Sequence, residues 1–63
     1  MTKEEIFELV KTEYEKLIDL PMGANKERRM AKIEGQVIGM LKAFRELGMI
    51  TPEEATDMME EII

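Results

Sequence analysis

The run Gly48-Met49-Ile50-Thr51-Pro52-Glu53-Glu54 places a helix stop and a helix start within seven residues. Glycine past a helix end takes the left-handed backbone conformation at little cost, and an apolar residue just beyond it commonly folds back on the last turn. Thr51 offers its hydroxyl to the free N–H groups of a new helix, and Glu54, three residues on, can reach back to the Thr51 N–H. Pro52 takes the first helical position, where its missing N–H is harmless. A second break is Leu20-Pro21-Met22-Gly23-Ala24. Pro21 disfavours the helical conformation at Leu20, and Pro and Gly together mark a connection of ordinary length.

The stretches between these breaks have the helical period. Thr2 and Glu5 form a capping box before Ile6, Phe7, Val10, Tyr14, Leu17 and Ile18. Asn25 is a good cap for the second stretch, although no Glu or Gln follows at Arg28. Met30, Ile33, Val37, Met40, Leu41, Phe44 and Leu47 form its apolar stripe, and Ala55, Met58, Met59 and Ile62 recur in the third. No run alternates with period two. The expected fold is all-α: a single helical domain over residues 1–63, with helices at about 3–19, 26–47 and 52–62 and a long central helix.

A chain of 63 residues buries only about 60% of the surface its unfolded form exposes, so it needs added support. Neither Cys nor His is present, which removes disulfides and the common zinc sites. Closely spaced acids with a turn glycine, as in a calcium loop, are also missing. No metal or cofactor is expected. Oligomerisation or very regular helix packing is left.

Ala31, Gly35, Gly39 and Ala43 are spaced by four and run along one line of the central helix. Each interior glycine costs roughly 1 kcal/mol relative to alanine. The return is close backbone approach, familiar from membrane helices but not dependent on lipid. A helix of the same chain, a second copy, or a partner seated in a groove would each use the stripe; local flexibility is the remaining reading. Ile38 lies near the Ala31–Gly35 side, so apolar and small residues wrap over half of this helix. Two short neighbours cover one side only. A homodimer through the second helix is therefore expected, with Ala31, Gly35, Ile38, Gly39 and Ala43 at its interface.

The net charge of −5 is unevenly spread. Both ends of the chain are acidic, whereas residues 21–48 carry six basic residues against three acids. Attraction between these segments, within the fold or a dimer, is the plain expectation. Arg28, Arg29 and Lys32 also form a candidate partner-binding patch, though cations at a helix start oppose its dipole. Nucleic acid fits them poorly as a partner, because the chain is acidic overall and has few aromatics for stacking. The third helix, as a reading helix, is acidic too. No His, Cys or Ser is present, nor any glycine-rich phosphate loop, so no catalytic residue is assigned and no enzyme is expected. Tyr14 reads as a core-edge residue. Seven methionines fit a soft core or an adaptable binding surface. No stretch approaches the 20 or so apolar residues of a membrane span, and no signal pattern opens the chain. It reads as complete and cytoplasmic.

Gly48-Met49-Ile50-Thr51-Pro52-Glu53-Glu54 resembles the Gly-x-Ile-Thr/Ser-x-Glu-Glu hairpin of short bacterial helical modules, a folding idiom without a function of its own. Richness in Lys, Glu and Ile, small size, and lack of Cys and His make the chain similar to small helical accessory proteins of Gram-positive phages and mobile elements. That resemblance implies a regulator or inhibitor of a host protein, such as a counter-defence factor, acting by stoichiometric binding. The expected function is a non-enzymatic protein-binding module whose partners are itself and a host or phage protein. A small nucleic-acid-associated regulator using the basic start of the second helix, or a purely structural oligomerisation module, are the alternatives.

Overall fold

The computed structural model describes residues 1–21 and 23–63. It has three α-helices, α1 (Lys3–Ile18), α2 (Lys26–Glu46) and α3 (Pro52–Ile62), with a 3-10 turn at Gly23–Asn25 before α2. No strand occurs among the described residues, and the protein is all-α as expected. The molecule measures 38 × 17 × 16 Å between Cα atoms. Its long dimension follows α2, whose 21 residues rise about 1.5 Å each.

Both expected capping boxes form. The Glu5 N–H donates to Thr2 Oγ1 at 3.1 Å, and the Thr2 N–H donates to Glu5 Oε1 at 2.9 Å. At α3 the Glu54 N–H donates to Thr51 Oγ1 at 3.1 Å, and the Thr51 N–H to Glu54 Oε1 at 2.8 Å. Gly48 ends α2 with a φ of 75°. Its N–H donates to the Arg45 carbonyl and the Met49 N–H to the Phe44 carbonyl, both at 3.0 Å, which is the Schellman pairing. The residue that folds back is Ile50, which is buried, while Met49 stays exposed.

Three local expectations change. Asn25 forms no side-chain cap, because the 3-10 turn leads straight into α2 and its backbone (φ −105°, ψ 45°) is not the extended form that aims a cap. The connection is tied instead by Arg29, whose guanidinium donates to the Pro21 carbonyl at 2.6 Å. Asp19 and Leu47 are C-caps, so α1 and α2 each end one residue early. Leu47 is 72% exposed, since the chain turns away there and neither neighbour reaches it. Met22, assigned to the connection, lies outside the described residues.

One cluster holds the fold together: Ile6 and Val10 from α1, Val37 and Leu41 from α2, Ile50 from the turn, and Met58 from α3. Phe7, Tyr14, Met40, Phe44, Ala55, Met59 and Ile62 pack around it. Ile33 extends the buried line along α2. Both α1 and α3 therefore lie on one side of α2, with α2 touching each of them.

Two consequences for stability can be measured. Thr51→Ala removes one of the two hydrogen bonds of the α3 capping box and costs about 1 kcal/mol, lowering the melting temperature by about 4–8 °C for a domain of this size. The second concerns pH. The Thr2 backbone N–H holds the Glu5 carboxyl below its usual range, and the Thr51 N–H, helped by Lys3, does the same for Glu54. Their contribution is present at neutral pH and is lost as pH falls through the carboxylate range. Glu54 in turn raises the Lys3 ammonium, whose contribution persists until strongly alkaline pH. With no histidine, thermal melting should be flat from about pH 6 to 8 and fall in acid. A melting temperature that rises on acidification contradicts this.

Candidate functional site

The first candidate surface lies between α1 and α3. Lys3 Nζ sits 3.0 Å from Glu54 Oε2 and joins the start of α1 to the capping box of α3. From that point the two helices run side by side over a groove of about 290 Å³. Its apolar lining is the half-buried Phe7 and the buried Met58. Its rim is acidic: Glu4 and Glu8 from α1, Asp57 and Glu61 from α3. Each pair is four apart on its own helix, a like-charge spacing that weakens an isolated helix. Among the described residues, Lys3 is the one cation on the lining, and it is already paired with Glu54.

This groove went unseen in the sequence, although half of its signal was there. Glu4 and Glu8 stand out as an unfavourable pair. Nothing in the sequence says that Asp57 and Glu61 face them, because that follows from the packing of α3 beside α1.

The second surface is the outer side of α2. Successive residues on a helix turn by about 100°, so the positions opposite the fully buried Val37 are Arg28, Gly35, Gly39 and Glu46, flanked by Ala31, Lys32, Lys42 and Ala43. Ala31, Gly35, Gly39 and Ala43 are all exposed. A Cβ added at Gly35 or Gly39 meets nothing within 4 Å. Among the described residues of one chain, then, no helix packs closely on Gly35 or Gly39 of the small-residue stripe. Ile38 is 47% exposed at the edge of this face and continues into an α2–α3 groove with Leu41, Ala55 and Met59. On the other edge, Gly39 and Ala43 border a groove with Leu17 and Met40.

Among the described residues, no ion pair joins the basic middle to the acidic ends, as attraction within the fold would have it. The ion pairs among the described residues are Lys3–Glu54 and Lys16–Glu13, and neither involves α2. The helices meet through apolar stripes, while Arg28, Lys32 and Lys42 project from the outer side. Arg28, Arg29 and Lys32 are also split as a patch: Arg28 and Lys32 are exposed, but Arg29 is half-buried and bonded to the first connection.

Among the described residues, no three acidic side chains are grouped as a metal site, and no helix is long and apolar enough to cross a membrane. No family model matches the chain, and no curated protein or solved structure is significantly similar to it.

The bare stripe gives a direct test. Gly35→Ala adds a methyl group where nothing obstructs it, and should stabilise the isolated chain by roughly 0.5–1 kcal/mol. Urea unfolding at high dilution measures this; a loss of stability there places a neighbour over Gly35 within the single chain.

Proposed function

We propose that this chain is a non-enzymatic protein-binding module that acts by stoichiometric association, with the α1–α3 groove as its recognition surface. The observation that carries this reading is the combination of an apolar floor, Phe7 and Met58, with an acidic rim, Glu4, Glu8, Asp57 and Glu61. Such a surface suits a segment of another protein that has an apolar anchor flanked by Lys or Arg: the anchor takes the floor and the cations meet the rim. Methionine adapts to differently shaped anchors, and four carboxylates outside the ion pairs of the described residues speed the encounter with a basic partner. Likeness in composition to accessory proteins of Gram-positive phages and mobile elements supports regulation or inhibition of a host protein as the outcome of that binding.

The exposed cations Arg28, Lys32 and Lys42 favour a second reading, association with nucleic acid. It requires the acidic groove to face away from the phosphates.

The two readings separate experimentally. A Leu/Lys amphipathic peptide should bind the wild-type chain with an affinity that falls as salt rises. The double variant Glu8→Lys/Asp57→Lys should weaken it by at least about tenfold while leaving the circular dichroism spectrum unchanged. Equal peptide binding by the variant removes the groove reading. A salt-sensitive shift of duplex DNA or RNA, lost on reversing Arg28 and Lys32, establishes the second reading in its place.

A further inference from the structure

We infer that the outer face of α2 is covered by a second copy of this chain in antiparallel register, with a two-fold axis level with Val37. This face is separate from the α1–α3 groove and the inference does not depend on it.

Residues of the outer face are placed symmetrically about that level. Arg28 and Glu46 stand nine residues before and after Val37, which turns both to the side directly opposite the core. Gly35 and Gly39 stand two residues before and after it, and Ala31 and Ala43 six. The face therefore reads as its own reverse in size, and as opposite in charge at its two ends. A two-fold axis perpendicular to α2 sets Arg28 against Glu46 of the partner subunit, and the same pair forms again at the other end of the seam. Gly35 then meets Gly39 of the partner subunit, where both helices lack side chains and can approach closely.

Ile38 follows from the same geometry. It lies one residue past the axis and about 100° from Val37, on the flank facing α3. The rotation brings it beside the partner's Ile38 and covers a side chain that is 47% exposed in the single chain. The contact continues into the apolar groove of Leu41, Ala55 and Met59. Lys32 and Lys42 stand five residues before and after Val37, so Lys32 falls level with Lys42 of the partner subunit, on the opposite edge of the seam; a parallel pair carries like-charge lysine contacts as well, so they do not decide the direction.

Charge selects the direction. A parallel pair with the same faces in contact places Arg28 on Arg28 and Glu46 on Glu46, so both ends repel. The antiparallel pair turns both ends into attractions. Within the single chain neither Arg28 nor Glu46 has an ion-pair partner among the described residues, so both are free to engage. Isologous pairing of this kind is the usual form of a two-fold dimer, in which one patch serves both subunits.

Sedimentation equilibrium on the full chain over micromolar concentrations tests the register. The wild type should be a dimer at tens of micromolar. Arg28→Glu and Glu46→Arg should each raise the dissociation constant about tenfold, because each inverts two symmetry-related pairs at once. The double variant Arg28→Glu/Glu46→Arg should return to within about threefold of wild type, since it restores both pairs with signs exchanged. Gly39→Leu should give a folded monomer, its helicity intact because no group of its own chain stands in the way. A monomeric wild type overturns the inference. Single swaps without effect, or a double variant weaker than either single one, overturn the antiparallel register. A dimer indifferent to Gly39→Leu shows that the seam lies on another face.

Discussion

One apolar line along α2 serves both of the other helices. Ile33, Val37 and Leu41 are buried on it, and Val37 and Leu41 share a cluster with Ile6 and Val10 of α1 and Met58 of α3. Because both neighbours use the same line, both sit on the same side. Among the described residues no element covers the opposite side of α2, and the two grooves that flank it follow from that asymmetry. In a chain this short the apolar surface available is limited, and concentrating it on one line brings three helices together around a common centre.

The same arrangement decides where the charges go. Helices that meet through apolar stripes turn their polar residues outward, so the basic residues of α2 do not meet the acidic residues of α1 and α3. The starts of α1 and α3 lie at the same end of the molecule, where Lys3 bridges to the capping carboxylate Glu54. Glu4 lies in the first turn of α1, where an acid complements the helix dipole, but Glu8, Asp57 and Glu61 lie further along their helices and gain nothing from it. Packed side by side, α1 and α3 bring these four carboxylates together as an acidic rim over Phe7 and Met58. The groove thus arises from two like-charge pairs, each costly on its own helix, that the packing of α3 on α1 sets face to face.

The helix termini were the most legible part of the sequence. Thr2 with Glu5 and Thr51 with Glu54 form the capping boxes their spacing specifies, and Gly48 closes α2. Each of these features depends on atoms within a few residues of one another. Asn25 shows the limit of such reading. Its residue type is a good cap, but it is the last residue of a 3-10 turn, which gives its backbone another conformation. Leu47 shows a different limit: it continues the apolar period of α2, yet it ends in solvent because burial needs a facing neighbour as well as the right spacing.

The small-residue stripe marks the same division. Its spacing and its glycines could be read from the chain, as could the fact that close packing would justify them. Whether a helix of the same chain occupies it could not, since that depends on where α1 and α3 settle. The structure leaves Gly35 and Gly39 open. The sequence by itself determined where each helix begins and ends to within a residue, because caps and period are local. Only the tertiary structure decided which face of α2 is covered and which acidic residues share a groove, because those outcomes depend on contacts between residues far apart in the chain.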